Sequence, residues 1–462
     1  MTALAMLAGS SAWAADTTRV YAINTDSELT SAQLEKENAA NEAYTNLLES
    51  FRATAPAVQT RSDGRENANM SDEASTTYTV DGIPAGGFPD YYAGAYMNAN
   101  HELVVMMTDN AAASKSAVRS LSQSSELNFR TAEHSYADLV RCMDEITQGW
   151  SSGSAEFAPI QYAYIDDFGN RVVVGVKELS DEYLELLRAR LKYFDAMVFT
   201  ECGDMAEAIT PESTTVNCNM DNIASVKSSN LITCSSVLYK YGLNSIPSGS
   251  YPSEQFSFGF KAKRTTGGVT QYGFVTAGHA MNKTEFAFVD STNPNYECIG
   301  ECVLSTQMST YQYDAAFVSV QSSKLARLSS TFSVNGGLNR ITSTSTRTAA
   351  QGSTIYKCGG KTNETYGPVL SSSFSLNAGT GISYMDVGVA AYFSKPGDSG
   401  GLVYSVASST AYPVGIHVAK IPAGIFALGS SAGNDVVSDE GNFKIYCKIR
   451  NVLGILNVSL TT

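Results

Sequence analysis

The stretch Ser394–Tyr404 reads SKPGDSGGLVY. Glycines 397, 400 and 401 surround Asp398 and Ser399, and an apolar run follows. Such a stretch is either an ordinary glycine-rich turn or a turn that holds out a nucleophilic hydroxyl. A serine hydroxyl is a weak nucleophile at its own pKa. It needs a neighbouring base, and the base needs a group that orients it. The reading of Ser399 therefore depends on what the rest of the chain offers.

The 462-residue chain has four histidines, His101, His134, His279 and His417. Only the last two share a region with Ser399. From about residue 225 charge thins, Ser, Thr and Gly rise, and short apolar strands recur, among them QFSFGFKA, YGFVTAGHA, AAFVSV, GLVYSV and FKIYCKI. Frequent short strands predict an all-β barrel or sandwich. His279 ends one strand in GFVTAGHAM, and Asp314 opens another in YQYDAAFVSV. An imidazole beside a hydroxyl, with a carboxylate fixing its tautomer, is what nucleophilic acyl transfer requires. Gly397 permits a tight turn that aims the amides of Gly397 and Ser399 at a developing oxyanion.

TAGH, YDAAFV and PGDSGG, in that order, resemble the three catalytic blocks of the chymotrypsin-like serine proteases. Their separations of 35 and 85 residues resemble the compact secreted bacterial branch of streptogrisin and α-lytic protease. YKCGGKTNETYGPV resembles that branch's Gly-x-Thr-Thr-Gly-x-x-x-Gly segment, and the likeness covers roughly residues 250–460. It implies an all-β double β-barrel protease domain over residues 225–462, with His279, Asp314 and Ser399 as catalytic residues and Gly397 and Ser399 at the oxyanion site. The chain departs from the branch at Ala280 and Phe256, where a cysteine pair is usual. It departs again near Phe393, where another cysteine is usual.

GIHVAK, residues 415–420, resembles the Gly-Ile-His-Trp-Gly-Gly strand of secreted glutamyl endopeptidases and similar strands in viral proteases that cut after Gln. The resemblance implies a substrate-binding wall from Ser394, His417, Val418 and Lys420, and a preference for Glu or Gln before the scissile bond. A lone histidine on an apolar strand also reads as a buried residue with a backbone partner. A small or aromatic apolar preference is the alternative specificity. A silent, protease-like binding protein is the alternative function. Phe393 and Ser394 supply no carboxylate for a basic side chain, and Lys420 replaces a glycine common in the family.

The chain opens with MTALAMLAGSSAWAAD, in which residues 1–14 read as a signal peptide ending at Ala12-Trp13-Ala14, so secretion to the extracellular space is expected. No apolar run approaches the roughly 18 residues that a membrane span needs. Residues 15–84 read as an N-terminal segment and linker, with a helix carrying Leu34, Tyr44, Leu47 and Leu48. Residues 85–224 read as an α+β region with a two-copy repeat at an offset of 68, pairing Tyr96 with Tyr164 and Val104-Val105 with Val172-Val173. Each copy is strand, turn, strand and helix, and Ser180 is placed to cap the second helix. The resemblance implies that this region is a propeptide that assists folding and inhibits the enzyme within the same molecule.

Residues 1–224 hold 14 basic and 33 acidic side chains, whereas residues 225–462 hold 17 and 12. Opposite signs predict mutual attraction, and the net charge of −14 argues against a nucleic-acid partner. Proteins or peptides are the implied substrates. Eight cysteines, an even count, suit an oxidising compartment and disulfides whose pairing cannot be read from sequence. Cys298 and Cys302 lack a nearby histidine or a second cysteine pair, so neither metal nor cofactor is expected.

Overall fold

The computed structural model describes residues 29–56, 77–205, 210–211, 214–219, 231–241, 250–292, 295–306, 313–377, 383–422 and 442–462. The signal-peptide reading at 1–14 and much of the linker lie outside the described residues. Among those described, no helix is long and apolar enough to cross a membrane.

The rear part is built from two sheet systems. One is a nine-stranded sheet that starts at Thr214–Asn219, runs through Ser250–Ser257, Asn295–Thr306, Ala315–Val320 and Val269–Thr276, and ends at Val458–Leu460. The other contains a closed ring of six strands. Thr410–Pro422 pairs with Leu402–Ala407, which pairs with Thr354–Gly359, and that strand pairs with Asn363–Asn377. Ser383–Ala390 and Asn442–Lys448 complete the circuit back to Thr410–Pro422. Closure removes free edges. Among the described residues, the nine-stranded system is an open path of hydrogen-bonded neighbours, and the ladder closes one ring. The nine-stranded sheet also takes in residues ahead of position 225.

Apolar alternation explains the packing. Phe256, Phe260, Phe274, Phe317, Leu402 and Ile416 are buried together in one core. The terminal helix Ile449–Leu456 buries Ile449, Val452 and Leu456 on one face.

The front part has two units of the same order. Tyr92–Met97 and Leu103–Met107 form a hairpin, followed by helix Ala112–Ser122 and a parallel strand, Asn128–Thr131. Ile160–Asp166 and Arg171–Val176 form the second hairpin, followed by helix Asp181–Arg190 and parallel strand Met197–Glu201. The Ser180 hydroxyl caps the latter helix by accepting from Tyr183 N. Helix Ser31–Thr54 is capped by Thr30 and buries Tyr44, Leu47, Leu48 and Phe51. These side chains meet a cluster that includes Phe88, Tyr92 and Tyr136.

Front and rear share one sheet. Asn363–Asn377 pairs at its far end with Ile160–Asp166, placing Phe374 opposite Tyr164 and Leu376 opposite Tyr162. The net charges of the two parts suggest rim attraction, and the contact also holds buried polar groups. Lys448 Nζ donates to Asp81 Oδ2 at 3.1 Å, to Asp386 Oδ1 at 2.6 Å and to the Ser372 carbonyl at 2.9 Å. Ser372 Oγ donates to Asp167 Oδ2 at 2.9 Å, and Asp81 N donates to Asp386 Oδ2 at 2.8 Å. Burial pushes the Asp167 carboxyl up to about 7. Burial also pushes Asp386 up, to about 6, although the Lys448 ammonium opposes the shift.

The seven cysteines whose side chains are described are free thiols, contrary to the expected disulfides. Cys298 and Cys302 lie on one strand, Asn295–Thr306. Four residues along a strand span about 13 Å, too far for a disulfide. Cys302 Sγ instead faces the Leu304 and Met281 carbonyls at 3.5 and 3.8 Å.

Candidate active site

His279 and Asp314 are delivered by adjacent strands. Val269–Thr276 and Ala315–Val320 are antiparallel neighbours, with Thr276 opposite Ala316. His279 lies just past the end of the first, and Asp314 just before the second. Gly278 is required there. A Cβ on it would sit 1.9 Å from the Thr306 carbonyl oxygen and 2.9 Å from Asp314 Oδ1.

Asp314 is fully buried and accepts two hydrogen bonds from one residue. His279 N donates to Oδ1 at 2.6 Å, and the ring Nδ1 lies 2.6 Å from Oδ2. A carboxylate cannot donate, so Nδ1 carries the proton and Nε2 is left as an acceptor. Nε2 lies 3.0 Å from Ser399 Oγ. The three residues singled out in the sequence thus form one hydrogen-bonded chain, within reach for proton transfer.

The turn around Ser399 is held by residues that the sequence reading passed over. Asp398 points away from Ser399 into a buried socket, where its carboxylate accepts from Lys357 Nζ at 3.0 Å and Thr362 Oγ1 at 2.6 Å. It also accepts from the amides of Lys361, Thr362 and Lys395. Burial alone would raise its pKa, but the Lys357 charge and these donors outweigh burial and hold it below the usual carboxylate range. Lys357 and Asp398 are both fully buried, and removing one partner of such a pair costs about 3–5 kcal/mol because a buried charge is stranded. Ser257 fixes the other side of the turn. Its hydroxyl donates to the Gly397 carbonyl at 2.8 Å and accepts from Gly360 N at 2.8 Å, while its amide donates to the Ser399 carbonyl at 2.8 Å. Gly397 and Gly400 have φ of 103° and 87°, a region that favours glycine.

Strand Thr410–Pro422 runs alongside this turn. His417 N donates to the Gly401 carbonyl at 2.9 Å, and the His417 carbonyl accepts from Gly400 N at 2.7 Å. The His417 ring is fully buried, with Nδ1 3.0 Å from the Tyr392 hydroxyl and the two rings edge to face at 5.6 Å. Val418 is buried in the apolar core and Ser394 is nearly buried. Lys420 is half-buried, opposite Lys444. Tyr392 had no signal in the sequence beyond its place seven residues before the nucleophile.

Residues 27–132 match a protein family described as a Pro-like N-terminal domain. No curated protein matches the chain. Among solved structures, the chain is similar to Thermobifida fusca Protease A at 18% identity, over 50% of this chain and 99% of that one, with a TM-score of 0.35. It is similar to a glutamic acid specific serine protease, described as using a histidine triad in substrate binding, at 22% identity over 50% and 100% of the two chains, with a TM-score of 0.35. It is also similar to Cellulomonas bogoriensis chymotrypsin at 18% identity over 50% and 99%, with a TM-score of 0.33.

Proposed function

We propose that this chain is the precursor of a secreted serine endopeptidase, with Ser399 as nucleophile, His279 as general base and Asp314 as the group that orients it. The observation that carries the reading is the chain of contacts from Ser399 Oγ to His279 Nε2 and from His279 Nδ1 to Asp314. Ser399 Oγ attacks a peptide carbonyl as its proton passes to Nε2. The imidazolium beside Asp314 then gives that proton to the leaving amine. Water repeats the sequence on the acyl ester. The amides of Gly397 and Ser399 are the candidate oxyanion donors, in a turn pinned by Asp398 and Ser257.

The front part, residues 85–224, is read as a propeptide that docks on the enzyme and inhibits it; residues 27–132 lie in a match described as Pro-like. Its hold should depend on pH more than on salt. Asp167 and Asp386 have raised pKa values when buried and ordinary ones, about 3.9, when exposed. The docked state therefore binds more protons between about pH 4 and 7. The stability that these groups contribute is fully present below about pH 4 and is lost as pH rises through 6 to 7. A cleaved front part should inhibit the rear part at least about tenfold less tightly at pH 8 than at pH 5. Salt should change this little, because screening acts weakly on buried groups. Equal inhibition at the two pH values would contradict the docking reading.

For specificity, Ser394, His417, Val418 and Lys420 are proposed to line the pocket for Glu or Gln. An imidazole held by Tyr392 can meet a carboxylate that would otherwise be costly to bury. The burial of His417 and its bond to Tyr392 also favour the second reading, an apolar pocket with a structural histidine. A peptide panel differing only before the scissile bond decides between them, with an organophosphonate on Ser399 as the test of the nucleophile itself. His417→Ala should lose a Glu preference of about tenfold or more while Ser399 is still labelled. An equal loss on every peptide makes His417 structural, and an unlabelled wild-type Ser399 refutes the peptidase reading.

A further inference from the structure

We propose that Cys234 and Cys358 are the two halves of a disulfide that, once formed, fastens the sheet carrying His279 to the ring carrying Ser399. The pairing goes beyond the peptidase reading, and its detection does not depend on activity.

Both cysteines are buried in one apolar core of the rear part. Cys358 belongs to Thr354–Gly359, a strand of the closed ring, opposite Glu364 on one neighbour and Leu402 on the other. Successive side chains on a strand face opposite ways. Lys357 reaches Asp398 beneath the Ser399 turn, whereas Cys358 lies with Tyr356 in the core.

Cys234 precedes Val237–Tyr241, which pairs with Ser250–Ser257 and Phe286–Thr292 in the nine-stranded sheet. Its place is fixed on both sides. Ile232 N donates to the Arg327 carbonyl at 2.8 Å, and the Ile232 carbonyl accepts from Ser329 N at 2.9 Å. Ser236 N then closes a turn by donating to the Thr233 carbonyl at 2.9 Å.

The two segments touch along their backbones. A Cβ on Gly360 would stand 2.9 Å from the Ser236 carbonyl oxygen and 2.9 Å from Val237 Cα. This contact falls two residues beyond each cysteine, and the two thiols are within hydrogen-bonding reach of each other. By contrast, Cys142, Cys202, Cys298, Cys302 and Cys447 face backbone groups. Cys358 Sγ also lies 3.7 Å from Asn363 Oδ1, a weak contact that a bond to Cys234 would replace.

Burial raises the Cys234 thiol well above its ordinary pKa, so the folded protein reacts slowly with an oxidant. The bond is therefore set while the chain is still open. Its oxidant is a small-molecule or protein disulfide of an oxidising compartment. One cysteine, as thiolate, bonds to a sulfur of that disulfide, whose own S–S bond breaks and releases a thiolate. The second cysteine thiolate then bonds to the sulfur of the first and expels the other half. The pair loses two electrons and two protons, and the oxidant leaves as two thiols. The cross-link closes a span of 124 positions, and so long a closure stabilises mainly by restricting the unfolded chain.

The test uses the full chain isolated from an oxidising medium, with its free thiols blocked by iodoacetamide in denaturant. Mass mapping of the unreduced digest should show the Cys234 and Cys358 peptides joined, and dithiothreitol should separate them. Alkylated Cys234 and Cys358 in that digest, or either one joined to another cysteine, overturns the assignment. As a second measurement, dithiothreitol should lower the midpoint of thermal unfolding of the wild type by about 4 °C or more. Cys234→Ala should show no such shift, and a shift of the same size in that variant also overturns the assignment. The map needs no variant, so it decides the pairing if Cys234→Ala does not fold. Organophosphonate labelling of Ser399 is read separately, so a failed pairing leaves the peptidase reading untouched.

Discussion

Ser399→Ala should leave a folded, full-length chain with no peptide hydrolysis, the rate falling by at least about 10⁴-fold. The contact of the hydroxyl with His279 Nε2 is what makes the serine reactive, and alanine removes both the nucleophile and the proton that the imidazole would take. The fold should survive. The turn is held by the Asp398 socket and by backbone contacts to Ser257, Gly400 and Gly401, none of which uses Oγ. Peptide hydrolysis by purified Ser399→Ala within tenfold of wild type would remove this serine from the mechanism. A circular dichroism spectrum matching wild type would show that loss of activity is not loss of fold.

The residues of this chain were readable in proportion to how locally their chemistry is encoded. His279, Asp314 and Ser399 each sit in a short block whose neighbours already suggest a turn or a strand end, and order along the chain does the rest. Apolar alternation likewise foretold the strands at Phe274 and Leu402 and the helix face of Ile449 and Val452. Lys357 was invisible because its partner, Asp398, lies 41 residues away, and a lysine in an apolar strand shows no pairing by itself. Ser257 and Tyr392 are ordinary strand and loop residues whose roles arise only when distant segments meet. The rear sheet takes in a strand ahead of residue 225 for a related reason. Thr214–Asn219 reads TTVNCN, a mostly polar strand, and its place is set by the ladder with Ser250–Ser257 and not by apolar periodicity. The charge split between front and rear hinted at attraction, but the groups at the contact, Asp81, Asp386 and Lys448, are buried and paired. Net charge does not reveal which groups those are.

Asp314→Asn should reduce kcat by about 10⁴-fold with little change in KM. The wild-type carboxylate accepts twice from His279, from the backbone N at Oδ1 and from Nδ1 at Oδ2, each at 2.6 Å. An asparagine has one accepting oxygen and one donating nitrogen. If its oxygen keeps the backbone bond, its NH2 faces Nδ1, which must then accept. The ring proton moves to Nε2, the atom that must take the Ser399 proton, and the base is lost although every side chain stays in place. The alternative flip strands the backbone N–H against a donor in a fully buried site, at a cost of about 1–3 kcal/mol. The side chain is the same size, so the fold should persist and the substrate should still bind. That separates this variant from a merely destabilised one. A tautomer defect lowers kcat, whereas a distorted cleft raises KM. Activity within tenfold of wild type, or a rise in KM that accounts for the whole loss, would show that Asp314 does not act through the tautomer of His279.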